Sequence, residues 1–203
     1  MNYKGLLDIL LLPKNFFRKL KDNKTTLYLG IVILGFIDVI YFIIDNHKKI
    51  FDKPALTMYY NITLMIVVIL LFGLIDVLFF SLPLYDLFKR FKKESDVPAR
   101  GDELPKLMKI YILASLLIFP ANLMVYFAGK ANGADLYDSS TVYILSLLIS
   151  VWGSAVITRG INVIYNFQPA FKRLVFICVY VWSLLLSYAL LYITDNWIIK
   201  LLN

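Results

Sequence analysis

Two aspartates stand in surroundings that ordinarily exclude charge. Asp38 lies within LGFIDVIYF, Leu34–Phe42, and Asp76 within FGLIDVLFF, Phe72–Phe80. In both, glycine stands three residues before the aspartate, isoleucine one before and valine one after. Inside a membrane a carboxylate costs at least a few kcal/mol, so it must face the protein interior and have a partner. Two carboxylates at one depth can share a proton or hold a cation. They can equally act as polar glue that fixes helix packing. The nearest candidate countercharge is Arg159, and Asn122 and Asn162 can add hydrogen bonds. Asp38, Asp76, Arg159, Asn122 and Asn162 therefore form the candidate intramembrane polar cluster.

The rest of the chain explains how such residues come to be held together. Of 203 residues, 60% are hydrophobic and 17% charged, and mean hydropathy is +0.73. Soluble domains carry more charge than this. The apolar residues gather in five long runs nearly free of charge, each long enough to cross hydrocarbon as a helix. Strand alternation is absent, and backbone groups in a bilayer need internal partners, so helices are the reading that remains. The expected architecture is an all-α polytopic membrane protein, a single domain over 1–203. Its helices are expected near 27–44, 59–84, 107–128, 141–164 and 174–193, after an interfacial leader over 1–26.

On five spans, sixteen Lys and Arg residues fall on the side of the N-terminus. Five, namely Lys48, Lys49, Lys53, Lys130 and Lys200, fall on the other. The positive-inside rule then places the N-terminus in the cytoplasm and the tail TDNWIIKLLN outside. Helix one, entering near Leu27, carries Asp38 to about 16 Å, and helix two leaves Asp76 about 12 Å from the same face. Arg159 sits about 7 Å in. The net charge of +7 belongs to these inner loops and does not indicate nucleic-acid binding.

The leader MNYKGLLDILLLPKNFFRKLK has a short apolar core interrupted by Asp8, and no small-residue cleavage site, so it is expected to be retained. Apolar residues among cations suit a membrane surface, where Leu6, Leu10, Phe16, Phe17 and Leu20 would enter the acyl boundary. The alternative is a cap packing beneath the helices. Lys14, Phe16, Phe17, Arg18 and Lys19 of the leader, with Lys89, Arg90, Lys92 and Lys93 of FKRFKK, are the expected contacts to anionic lipid headgroups. Leu84, Leu87, Phe88 and Phe91 keep a helical rhythm, so helix two is expected to continue along the surface. Pro98, Gly101 and Pro105 then turn the chain into helix three.

Other chemistry is poorly supplied. One cysteine, Cys178, and one histidine, His47, lie far apart in the chain, which argues against zinc and Cys–His catalysis. No Gly-rich phosphate loop occurs, and no loop is large enough to fold as a catalytic domain. No cofactor or metal is expected. Helix four carries Ser146, Ser150, Ser154, Thr158 and Asn162 at steps of four, a packing seam or a polar pathway that drifts about 40° per step. Ser183 and Ser187 are its possible counterpart on helix five. Pro120 removes the donor for the Leu116 carbonyl and should kink helix three.

The segments LDILLLPKNFFRKLKDNKTTLYLGIVI and ITRGINVIYNFQPAFKRLVFICVYV (Ile157–Val181) resemble the Yip-domain membrane proteins. That family has a cytoplasmic N-terminus, five closely spaced helices and a short external tail. The chain departs from its eukaryotic members, which are linked to vesicle traffic and Rab-type GTPases. It lacks their long polar extension and a Tyr-Gly-Tyr-Ser segment, and LLPKN stands where they carry Asp-Leu-x-Gly-Pro. The compact form looks more like a bacterial member, for which the resemblance implies fold and topology but no settled activity. The expectation is a non-enzymatic protein of the bacterial cytoplasmic membrane that organises lipids or a protein partner at its inner face, or assembles with itself. The alternative is a small transporter or channel that uses the paired aspartates.

Overall fold

The computed structural model describes residues 11–20, 23–91, 103–131 and 140–201. The expectations for Leu6, Leu10, Lys92, Lys93, Pro98 and Gly101 lie outside these residues. A short helix α1 (Lys14–Arg18) precedes α2 (Lys24–Asp45), α3 (His47–Phe51), α4 (Ala55–Phe91), α5 (Glu103–Ala131), α6 (Ser140–Tyr165) and α7 (Pro169–Ile193). The last helix runs on through a π-helical turn, Thr194–Ile198, into α8 (Ile199–Leu201). Among the described residues there are no strands.

The helices begin where local chemistry allows. Asn23 caps α2, its side chain accepting from the Thr25 N–H at 3.0 Å, which satisfies one of the free donors of the first turn. Pro169 opens α7, where a missing N–H costs nothing. Asn166, at φ 47°, forms the turn between α6 and α7. Asparagine is one of the few side chains that tolerate this left-handed conformation. Pro105, expected in a turn, instead lies in the first turn of α5, a position proline accepts.

Helices α2, α4, α5 and α6, and α7 with its continuation, are each long and apolar enough to cross a membrane. The protein is an all-α polytopic membrane protein of five spans. Its outer faces carry Leu29, Phe36, Leu70, Leu148, Ile177 and Leu185, all exposed, as lipid-facing surface requires. Helix α4 extends beyond 59–84 at both ends and reaches Phe91, and the last span runs from Pro169 to Leu201. At 37 residues α4 measures about 55 Å, against a hydrocarbon thickness of about 30 Å. It passes through Pro83 without ending.

The carbonyl four residues before that proline, Phe79, loses its helical donor. The indole N–H of Trp182 on α7 donates to it at 2.9 Å. A side chain of the last span thus repairs the backbone of the second.

Two clusters mark opposite ends of the bundle. At the leader end Phe17, Phe88, Tyr165 and Phe167 are buried together, with the Tyr165 and Phe167 rings stacked at 5.3 Å. At the tail end Phe42, Ile50, Met65 and Ile198 pack together. The first and last described segments therefore sit at opposite ends, as an odd number of spans demands. At the tail end the Tyr126 hydroxyl donates to Asp45 at 2.6 Å, and Lys130 pairs with the same carboxylate, tying α2 to α5.

One lipid contact is overturned. Phe17 is 2% exposed and packs over Gly160 of α6, so it anchors α1 to the bundle. Its neighbour Phe16 faces outward at 42%. Adjacent residues on a helix point about 100° apart, so a five-residue helix cannot turn both rings to one side. Lys14, Arg18, Lys19, Lys89 and Arg90 are exposed, as a surface contact requires.

Candidate functional site

Helices α2 and α4 cross at their glycines. A Cβ built on Gly35 would lie 2.7 Å from the Gly73 nitrogen, and one on Gly73 would lie 2.9 Å from the Gly35 nitrogen. The same Cβ atoms would collide with the Ile69 and Ile31 carbonyl oxygens respectively. Only backbone fits between these helices, because an added side chain would meet carbonyls that cannot move aside. The contacts are reciprocal under an offset of 38 residues. The same offset pairs identical residues at Ile31/Ile69, Gly35/Gly73, Ile37/Ile75, Asp38/Asp76, Val39/Val77 and Phe42/Phe80. The repeated words are two antiparallel copies of one crossing surface, related by a local two-fold through the glycines.

This relation places the aspartates. Each follows its glycine by three residues, and the helices run in opposite directions. Asp38 therefore lies about 4.5 Å to the tail side of the crossing and Asp76 about 4.5 Å to the leader side, roughly 9 Å apart along the axis. Both line one cavity of about 180 Å³. Its polar wall adds Tyr111, Ser115, Asn122, Ser150, Ser154 and Ser187. Leu34, Ile37, Ile118, Ile157 and Leu184 supply apolar surface. Among the described residues no Lys, Arg or His lines it. A volume of this size has room for several waters.

Asp76 is 2% exposed, and the Tyr111 hydroxyl reaches both of its oxygens at 2.8 Å. The Tyr111 ring stacks on Phe80 at 3.8 Å, which fixes the hydroxyl where it is. Asp38 differs. Its Oδ2 is buried and accepts no hydrogen bond among the described residues, and the nearby Ser183 hydroxyl is in the same position. One carboxylate is held by a neutral donor, and the other presents an unsatisfied acceptor atom.

The expected cluster of five is thus divided. Asn122 shares the cavity with Asp38 and Asp76. Arg159 and Asn162 do not; they line a separate cavity at the leader end, with Lys14, Arg18 and Lys172. The reason is rotation about α6. Steps of four drift by about 40° each, so Ser150 and Ser154 face the aspartates while Thr158 and Asn162 have turned away. Arg159 was expected to be the partner of Asp76, and Tyr111 holds that place. The signal for it was available, since a tyrosine within an apolar run needs a partner for its hydroxyl.

Beyond the aspartates the α6 stripe continues. Ser146 and Ser150 donate to the carbonyls four residues back, each at 2.9 Å, leaving oxygen acceptors on the helix face. Ser150, Leu184 and Ser187 belong both to the aspartate cavity and to a groove of about 240 Å³ lined by Tyr143, Ser146 and Tyr188 toward the tail end. In the opposite direction Phe80, Leu84, Phe88, Ile110 and Ile161 are buried to 3% exposure or less. The polar space continues toward the tail end, and apolar side chains fill the bundle toward the leader end.

Among the described residues no group of three His, Cys, Asp or Glu side chains is placed to hold a metal ion. The chain matches no family model, no curated protein and no solved structure.

Proposed function

We propose that the protein binds a small monovalent cation, the proton included, between Asp38 and Asp76 and passes it across the membrane. One observation carries this: two carboxylates share an intramembrane cavity whose described lining contains no basic side chain. Carboxylates serving only as packing glue would be expected to close on a partner in a dry contact. Here one carboxylate oxygen remains unsatisfied beside space sufficient for water. The serine and tyrosine oxygens between the cavity and the tail-end groove offer a path of neutral acceptors. The apolar plug from Phe80 to Phe88 is the barrier that passage must open. With the leader end in the cytoplasm, as the basic asymmetry predicts, the tail-end groove lies in the outer half of the membrane. A bacterial cytoplasmic membrane and the Yip-like five-span topology fit this arrangement, and no enzymatic role is proposed.

Proteoliposomes test it. Wild-type protein should dissipate a proton, Na⁺ or K⁺ gradient faster than empty vesicles, and Asp38→Asn and Asp76→Asn should each abolish the difference while leaving the detergent-solubilised protein folded. Flux unchanged in both variants would sink the proposal.

A second reading has its own support. Phe16, exposed beside Lys14, Arg18 and Lys19 on a helix anchored by Phe17, is suited to hold lipid or a protein partner at the inner face. In that reading the protein organises what lies beneath it, and the aspartates tune packing. Absence of flux from the reconstituted protein, with capture of added anionic vesicles that Phe16→Ser abolishes, would favour it.

A further inference from the structure

The groove that adjoins the aspartate cavity is a lateral one. It shares Ser150, Leu184 and Ser187 with the cavity, and every described residue lining it belongs to α6 or α7. Its Tyr143, Tyr188 and Leu191 are exposed, so it lies on the outer face of the bundle between these two spans. In a membrane that face meets acyl chains. An inorganic ion gains nothing from such a route, because it would have to leave its water for hydrocarbon. A ligand that dissolves in lipid can use it. Behind the groove, the rings of Phe119 and Tyr180 line the cavity beside the two carboxyl groups. Tyr111 occupies both oxygens of Asp76. The Asp38 Oδ2 and the Ser183 hydroxyl, from α2 and α7, are buried at the same cavity with no hydrogen-bond partner among the described residues. Asp38 is therefore the carboxyl group with an acceptor to offer. Aromatic faces beside a carboxylate are the surfaces that recognise organic ammonium ions.

Resting on the reading of this cavity as a cation site, we propose that it also takes a lipophilic organic ammonium ion, which enters from the membrane between α6 and α7 and sets its charge against Asp38. The sizes agree. A cavity of about 150 Å³ admits a benzene-sized molecule, and this one measures about 180 Å³, enough for a trimethylammonium head. The groove of about 240 Å³ holds the apolar body of the ligand against Tyr143 and Tyr188. Charge selects the ligand at the inner end and lipid solubility selects it at the outer end.

Phenyltrimethylammonium is the probe, since its charge is permanent and it carries no proton to give up. tert-Butylbenzene has the same shape without the charge. Thermal unfolding of the purified chain in nonionic detergent, at constant ionic strength, follows the binding of each. Phenyltrimethylammonium at ten times its dissociation constant should raise Tm by about 3 °C or more, and tert-butylbenzene should not. Asp38→Asn should weaken the binding by about ten-fold or more. Ser187→Phe, at an exposed position shared by cavity and groove, should weaken it by about five-fold or more by filling their junction. Leu70→Phe, exposed on α4 and lining neither space, should change it by less than about two-fold. Should Asp38→Asn fail to fold, Ser187→Phe and the neutral isostere decide. Equal stabilisation by tert-butylbenzene would mean a groove that takes any apolar molecule, an acyl chain included, and would overturn the assignment. Unchanged binding in Asp38→Asn or in Ser187→Phe would do the same. Inorganic-cation flux is read separately in proteoliposomes: flux without phenyltrimethylammonium binding overturns the organic ligand alone, and binding without flux overturns transport alone.

Discussion

Gly35 and Gly73 meet backbone to backbone, and their contact is what sets the distance between Asp38 and Asp76. A carboxyl group follows each glycine by three residues, so this backbone-to-backbone contact lies between the two aspartates. Close approach and polar cavity are two consequences of one repeated segment.

Substitution at the crossing should therefore be costly in a way that other glycines are not. Gly73→Ala sets a methyl against the Ile31 carbonyl, which is fixed in its helix. Gly153→Ala meets only the end of the Ile118 side chain, at 2.9 Å. Gly73→Ala should destabilise by about 2–3 kcal/mol, and Gly153→Ala by under about 1 kcal/mol. Thermal unfolding in detergent compares them directly, and equal losses would deny the special role of the crossing.

The Tyr111 hydroxyl should prove to be the partner of Asp76. Tyr111→Phe keeps the stack on Phe80 but leaves the carboxylate without its donor, at about 1–3 kcal/mol. Asp76→Asn combined with Tyr111→Phe should cost clearly less than the two singles added together. Arg159→Gln should show no such coupling to Asp76→Asn. A double-mutant cycle of detergent stability would reveal the opposite if Arg159 were the true partner.

Much of this architecture was legible in the sequence. Charge-free runs announced five helices because hydrocarbon admits little else, and the Gly–Asp repeat was visible as words. Its meaning was not, because an antiparallel crossing depends on which faces meet, and periodicity within each helix leaves that open. Depth alone brought Arg159 near Asp76; the turn of α6 between Ser154 and Asn162 separated them. In the leader, composition marked Phe16 and Phe17 alike, and only the docked helix distinguishes the ring facing outward from the ring beneath Gly160.

The repair of α4 at Pro83 makes a third prediction. Trp182→Phe leaves the Phe79 carbonyl without its donor and should cost about 1 kcal/mol. In a Pro83→Ala background the helix supplies that donor itself, so the same change should become nearly neutral. Equal losses in the two backgrounds, measured by thermal unfolding, would show that the indole acts only by packing.

The distribution of basic residues predicts the orientation. Reporter fusions after Asn2 and Asn203 should report opposite compartments, the first cytoplasmic. Both ends on one side would contradict five spans, and the reverse assignment would put the tail-end groove in the inner half of the membrane.

Accessibility of the cavity tests the account at its centre. Ser154 lines the cavity and is 2% exposed, and Cys178 is the chain's one native cysteine. In a Cys178→Ala background, Ser154→Cys can be challenged from outside with membrane-impermeant methanethiosulfonates of opposite charge. The cationic ethyltrimethylammonium reagent should modify it at least ten-fold faster than the anionic ethylsulfonate. Adding Asp38→Asn and Asp76→Asn should erase that preference. No modification by either reagent, or equal rates with both aspartates intact, would mean that the carboxylates lie in a dry interface and attract no cation.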